Sequence, residues 1–249
     1  MPKAYLTIDD SPSKQTDRLV DGLVERGVPA ILFCRGDFLE ADQDIMVRAV
    51  KKGMVLGNHA YMHKRAGDLA FEAETYSITR TDILIDRVYR RANVKRPGQY
   101  FRFPYIDRGD GDLLERRFFD IIATIEDGKK VKLPETKPVA RLQKWLKENG
   151  FTQPFQGVTH PLYQLPLIRD AQDCLFTYST GDWMLNARYK GTQPLQSLPD
   201  VTAAMDADPY LMSESGAQIV LIHDHDEITD VALGIVDHML KNKFEFLGV

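Results

Sequence analysis

Two adjacent aspartates, Asp9 and Asp10, close an apolar run that reads Leu6-Thr7-Ile8-Asp9-Asp10-Ser11-Pro12. Successive side chains leaving a strand point apart, so the two carboxylates are free to take different tasks, one on a metal and one on a proton. Asp, Ser and Pro are also turn residues, and taken alone the segment reads as a plain turn. Farther along stands Gly57-Asn58-His59-Ala60-Tyr61-Met62-His63. Histidines four apart share a face if the segment winds helically, and both imidazoles then reach one ion. Two imidazoles and a carboxylate, with a coordination position left open, are the usual way to hold catalytic zinc. Surface or satisfied core histidines give the same spacing.

Three more segments carry chemistry. Phe101-Arg102-Phe103-Pro104-Tyr105 sets an arginine in an apolar strand, where it must find a carboxylate or suffer desolvation. Ser179-Thr180-Gly181-Asp182-Trp183 brings an acid and an indole to another strand end, and Val220-Leu221-Ile222 leads into His223. Taken singly, the first is a structural ion pair and the last a packed histidine. Jointly they are five motifs in order, each at an expected strand C-terminus, the end where β/α barrels build their active sites.

The elements that must position them follow from periodicity. Short apolar runs alternate with helix-period segments, the mark of repeated β–α units. Strands are expected at Ala4 to Ile8, Ala30 to Cys34, Met54 to Leu56, Tyr100 to Phe103, Ile121 to Ile125, Phe176 to Ser179 and Ile219 to Ile222, with a closing strand at Phe244 to Leu247. Helices are expected at Gln15 to Arg26, Gln43 to Lys52, Glu72 to Arg91, Val139 to Asn149, Val201 to Ala207 and Thr229 to Lys241. Phe151 to Asp173 and Ala187 to Asp200 fit neither period and read as long loops of the kind that bind. No repeat or linker divides residues 1–249, so one domain is expected.

The ordered set resembles the polysaccharide deacetylases, carbohydrate esterase family four, whose motifs run roughly T-F-D-D, H-[ST]-x-x-H, R-x-P-Y, D-x-x-D-W and L-x-H. The counterparts span residues 7 to 223. The resemblance implies an α/β fold, a distorted (β/α) barrel of seven or eight strands. It implies one divalent ion on Asp10, His59 and His63, zinc first, with cobalt, nickel or manganese also fitting. The ion activates a water for attack on an N-acetyl carbonyl. Asp9 would be the general base, paired with Arg102, and His223 the acid toward the departing amine, backed by Asp182. The backbone N–H of Tyr105 would receive the oxyanion, since Pro104 before it has none to give. Trp183 and Leu221 would line a slot for the acetyl methyl, with Pro104 beside them.

Three departures stand out. Ala60 replaces the Ser or Thr that braces the second histidine, Ser179 replaces the first acid of the fourth motif, and Ser11 replaces a frequent glycine. None is a residue assigned to metal or proton chemistry. The expected substrate is an N-acetylated carbohydrate, or alternatively a small amide, imide or ureide on the same scaffold. Ferrous iron for oxygen chemistry would leave Arg102, Asp182 and His223 idle, and an inactive carbohydrate-binding module would not need Asp9 and His223.

Bulk properties remove other classes. A net charge of −4 with mixed signs argues against a nucleic-acid face, and the basic run Arg87, Arg90, Arg91, Lys95, Arg96 reads as a solvated helix surface. No apolar run reaches membrane-span length. Met1-Pro2-Lys3 leads straight into a strand with no cleavable apolar segment, so a cytoplasmic location is expected unless an export signal has been removed. Cys34 and Cys174 sit among apolar residues and read as core thiols rather than a disulfide. His160 and His238 read as structural or exposed, and His225, close to the site entrance where it could touch substrate, reads first as part of a solvated turn before a helix. Tyr163, Tyr189 and Tyr210 lie in or near the long loops, where either packing or sugar stacking would suit them.

Overall fold

A strand covered on both faces needs apolar residues without alternation. The first such run forms β1 (Lys3–Ser11), buried at every residue after Lys3. The computed structural model describes residues 1–111, 113–127, 129, 131 and 136–249. In it β1 is joined by β2 (Ala30–Cys34), β3 (Val55–Asn58), β4 (Tyr178–Ser179), β5 (Ala217–His223) and β6 (Glu245–Phe246). These make a six-stranded sheet in the order β3-β2-β1-β5-β4, with β6 paired to the start of β1. Every ladder is parallel. Parallel neighbours need crossover connections, and most are helical. The helices are α1 (Thr16–Glu25), α2 (Gly36–Ala41), α3 (Gln43–Lys51), α4 (Phe71–Ala92), α5 (Leu113–Glu126), α6 (Lys137–Glu148), the short α7 (Pro166–Arg169), α8 (Leu198–Ala207) and α9 (Thr229–Lys241).

The two faces of β1 enter different cores. Ala4, Leu6 and Ile8 pack with Leu19 and Leu23 of α1, Ile85 and Val88 of α4, and Ile235 and Met239 of α9. Tyr5 points the other way, into a cluster with Ile219 and Leu221 of β5 and Phe118 and Ile121 of α5. By the two-residue period of a strand, Thr7 and Asp9 share the side of Tyr5. The chemistry of the chain is gathered at the upper end of that face.

The expected α/β class with a parallel sheet is what the chain adopts. Most expected strands and helices appear within a few residues of their expected bounds. Ile121 to Ile125, expected as a strand, lies inside α5 instead. Leu114, Phe118 and Ile121 are all buried, at spacings of four and three, so the helical period set by the preceding residues decides. Tyr100 to Phe103 does not pair as a strand over its length. It is held by single bridges, Gln99 to Phe151 and Phe101 to Asn58, and by Arg102 N–H donating to the Asn58 carbonyl at 2.9 Å. Cys34 and Cys174 are buried free thiols. Among the described residues no helix is long and apolar enough to cross a membrane.

Candidate active site

Asp9 and Asp10 leave the top of β1, but not in opposite directions. The register of β1 with β2 shifts between Ile8 and Ser11, and Asp10 takes a left-handed backbone with φ 66°. Asp and Asn tolerate that conformation better than most residues. Strand alternation is thereby broken, and both carboxylates reach the same imidazole. His59 Nε2 lies 3.7 Å from Asp9 Oδ2 and 4.0 Å from Asp10 Oδ1. The expectation that the two side chains diverge is corrected here; their division of labour comes from different partners.

Asp9 belongs to Arg102. The Arg102 side chain is almost wholly buried, with Nη1 donating to Asp9 Oδ1 at 2.8 Å and to Thr7 Oγ1 at 2.9 Å, and Nε donating to the Cys174 carbonyl at 2.7 Å. Its guanidinium lies 4.3 Å over the Phe33 ring. A buried arginine so held fixes the carboxylate it touches, and neither partner could be removed without leaving an uncompensated charge.

His59 and His63 meet without a helix between them, which corrects the sequence expectation. The segment after β3 turns through left-handed residues, Ala60 at φ 58° and His63 at φ 50°. Asn58 pins it, its amide donating to the Ile78 carbonyl and its Oδ1 accepting from Ala60 N–H. Ser77 Oγ accepts from Tyr61 N–H at 2.8 Å, so a hydroxyl braces this turn from α4 although Ala60 has none. His59 Nδ1 lies 2.8 Å from the Arg102 carbonyl and must donate to it, which leaves Nε2 as the free lone pair. His63 Nε2 lies 3.3 Å from Asp10 Oδ1.

One ligand atom each from Asp10, His59 and His63 lies within 4.8 Å of the others. Asp10 Oδ1 is buried and has no hydrogen-bond partner. An orphaned carboxylate oxygen facing two imidazole nitrogens is the donor set a divalent cation completes, and the residues fit one. The acid–base setting agrees. Burial pushes the His63 imidazole down to about 4, which keeps its ring a free base. Burial pushes Asp10 up, but the His225 hydrogen bond and the nearby His63, His59 and His223 outweigh it and hold the carboxyl below the usual range.

His223 arrives from β5, where the register sets it directly beside Asp9. Asp182 is fully buried and takes two hydrogen bonds from it, Nδ1 at 2.8 Å and the backbone N–H at 2.7 Å. Burial alone would lower the imidazole, but the Asp182 charge and hydrogen bond, with the charges of Asp10 and Asp9, outweigh it and raise it to about 9. Pro104 is buried, and Tyr105 is exposed with φ 57° and its ring centroid 4.6 Å from that of His63. Trp183 is half-buried and meets Tyr189 edge-on. Leu221 packs into the core with Tyr5 and Ile219.

The sequence reading missed His225. It is no solvated turn residue: its Nε2 lies 2.8 Å from Asp10 Oδ2 and its Nδ1 2.9 Å from Asn186 Nδ2. The spacing held a signal, since residues two apart in extended chain share a side, and His225 follows His223 by two. Three other residues outside the site fall into place. His160 is buried and caps a turn at Leu162 N–H, His238 pairs with Asp206, and Tyr163 is a core residue whose hydroxyl donates to the Leu175 carbonyl.

The polysaccharide deacetylase family model matches residues 1–114. That stretch, a little under half of the chain, is similar to the polysaccharide deacetylases. A peptidoglycan-N-acetylglucosamine deacetylase of Bacillus cereus is 28% identical over 113 residues, a stretch that spans 45% of this chain but only 38% of that enzyme. A family 4 carbohydrate esterase from Streptomyces lividans, solved in complex with acetate, has the same fold with a TM-score of 0.59. It is 19% identical, and the match covers 98% of this chain and 90% of the esterase. The catalytic domain of a peptidoglycan N-acetylglucosamine deacetylase from Eubacterium rectale matches with a TM-score of 0.60 at 17% identity, over 99% of this chain and 87% of its own. The matched stretch contains Asp9, Asp10, His59, His63, Arg102 and Tyr105. Asp182 and His223 lie beyond it and join the site through the fold.

Proposed function

We propose that the protein hydrolyses N-acetyl groups on a carbohydrate and releases acetate. One observation carries this reading. A buried, arginine-clamped carboxylate (Asp9) and an aspartate-backed imidazole (His223) stand side by side on β1 and β5, against the Asp10–His59–His63 donor set. A base and an acid with opposite protonation habits around one cation suit addition of water to an amide and loss of the amine.

The divalent ion, zinc by preference, would be held by Asp10, His59 and His63 and would supply Lewis-acid activation of water and carbonyl. Asp9 takes a proton at Oδ2, the oxygen not engaged by Arg102. His223, held charged by Asp182, gives its Nε2 proton to the departing nitrogen. The Tyr105 N–H receives the negative charge that builds on the carbonyl oxygen, and Pro104, Trp183 and Leu221 shape the acetyl slot. The distorted barrel belongs to this proposal too: Cys174 N–H donates to the Phe101 carbonyl and Thr177 N–H to that of Ile219, carrying the chain from the end of β3 round to β5.

The test is acetate release from N-acetylglucosamine oligomers, O-acetylated sugars and small linear and cyclic amides, with and without a chelator. Release from the oligomers that a chelator stops is the expected result. Turnover of the small amides alone would overturn the carbohydrate assignment, and full activity in chelator would overturn the metal.

A further inference from the structure

Asp10 offers two oxygens, and the structure treats them differently. Oδ1 is buried, unpartnered and turned toward His59 and His63. Oδ2 is taken by His225 at 2.8 Å. The direction of that bond is fixed from the far side of the ring. Asn186 Nδ2 lies 2.8 Å from the Trp183 carbonyl, which can only accept, so that atom is the amide nitrogen. The same nitrogen lies 2.9 Å from His225 Nδ1. Nδ1 therefore accepts, the ring proton sits on Nε2, and Nε2 donates to Asp10 Oδ2.

Asn186, His225 and Asp10 thus form one directed chain of hydrogen bonds ending on a candidate metal ligand. We infer that His225, oriented by Asn186, is a positioning residue that holds Asp10 as a one-oxygen ligand, with Oδ1 reserved for the cation. This rests on the reading that Asp10, His59 and His63 bind a divalent ion. Partners one step outside the ligand shell fix ligand orientation, and losing one typically lowers metal affinity about 10- to 100-fold. Without His225, Asp10 is free to rotate or to present both oxygens.

A scaffold role for the same segment makes a different prediction. His223, His225 and Glu227 all tie to the stretch after β4, with Glu227 Oε2 accepting from Ala187 N–H at 2.7 Å. If these ties only fastened that stretch, cutting any of them would act alike.

The experiment uses the full chain, stripped with a chelator and titrated with zinc against a chromophoric competitor, and separately with cobalt(II) for its visible spectrum. His225→Ala is expected to weaken zinc binding about 10- to 100-fold. His225→Gln, whose amide nitrogen can replace Nε2 as donor, should recover most of that loss. Asn186→Ala should weaken binding in the same direction but less. Glu227→Ala, which cuts a neighbouring tie and leaves Asp10 untouched, should bind zinc as the wild type does. The cobalt spectrum of His225→Ala should keep the wild-type band positions, because no ligand has been removed. Wild-type affinity in folded His225→Ala overturns the inference, as does a cobalt spectrum showing a lost nitrogen ligand or an equal loss in Glu227→Ala. A wild-type protein that binds neither ion overturns the metal reading itself.

Discussion

Asp9 is engaged on one oxygen by Arg102 and presents the other 3.7 Å from His59 Nε2. An amide in its place keeps the shape but cannot take a proton. Asp9→Asn should therefore lower kcat by about 10²- to 10⁴-fold while metal content, measured by elemental analysis, stays near wild type. His59→Ala should lose both. Full turnover in Asp9→Asn would remove Asp9 from the role of base. His223 gives a pH signature instead. Its imidazole is raised to about 9, against burial, by Asp182, and as an acid it must be protonated to act. Activity should hold through neutral pH and fall as pH rises through about 9. Asp182→Asn removes the main favourable cause, so the basic limb of kcat/KM should move to lower pH. A limb that does not move would assign it to another group. These residues were legible because their chemistry is unusual for their places: paired carboxylates at a strand end, an arginine among phenylalanines. His225 was not, since one histidine in a run of acids looks like solvated turn, and its partner Asp10 is more than two hundred positions away.

The end of β5 and the turn that follows it tie down the segments on both sides of the site. His223, His225 and Glu227 hold the segment from Asp182 to Ala187. Asp224 and Asp226 hold the turn between β1 and α1, Asp226 through Lys14 N–H. Asp224 is buried and accepts from Ser13 Oγ at 2.6 Å and Thr16 Oγ1 at 2.5 Å. Asp224→Ala removes the acceptor that Ser13 and Thr16 share, and a loss of roughly 1–3 kcal/mol is expected from urea unfolding at unchanged slope. A loss below about 0.5 kcal/mol, the range of ordinary surface substitutions, would mean that water replaces the carboxylate freely. Helix and strand bounds were readable here because periodicity is local. The path from His59 to His63 was not, because alanine and histidine carry no mark of the left-handed backbone they adopt. Glycine would have announced it. The Ile121 to Ile125 error has a similar origin, since a short apolar run suits strand or buried helix, and only Leu114 and Phe118 before it settle the period.

At the scale of the whole molecule, parallel β–α order was legible from alternation along the chain, but strand neighbours and register were not. That Asp9 lies beside His223 is a pairing across the full length of the sequence, set by core packing on both faces of β1 rather than by any local pattern. The fold also carries a cost unrelated to the site, and it makes global stability depend on pH. Glu74, in the first turn of α4, is almost fully buried, and neither carboxylate oxygen has a partner. Burial first, and the charge of Asp107 second, raise its carboxyl from 4.5 to about 7. In the unfolded chain the group ionises near 4.5, whereas in the folded one it keeps its proton to about 7. Between those values the unfolded state holds fewer protons, so stability falls as pH rises through that window and stays reduced above it. The full shift corresponds to roughly 3 kcal/mol. Glu74→Gln is neutral in both states and removes the dependence. Its Tm should exceed the wild type's by several degrees at pH 8, and the difference should shrink to nothing near pH 4. Comparing variant with wild type at each pH cancels the contributions of the histidines and the metal site. A Tm difference that is the same at both pH values would show that Glu74 does not retain its proton in the folded protein.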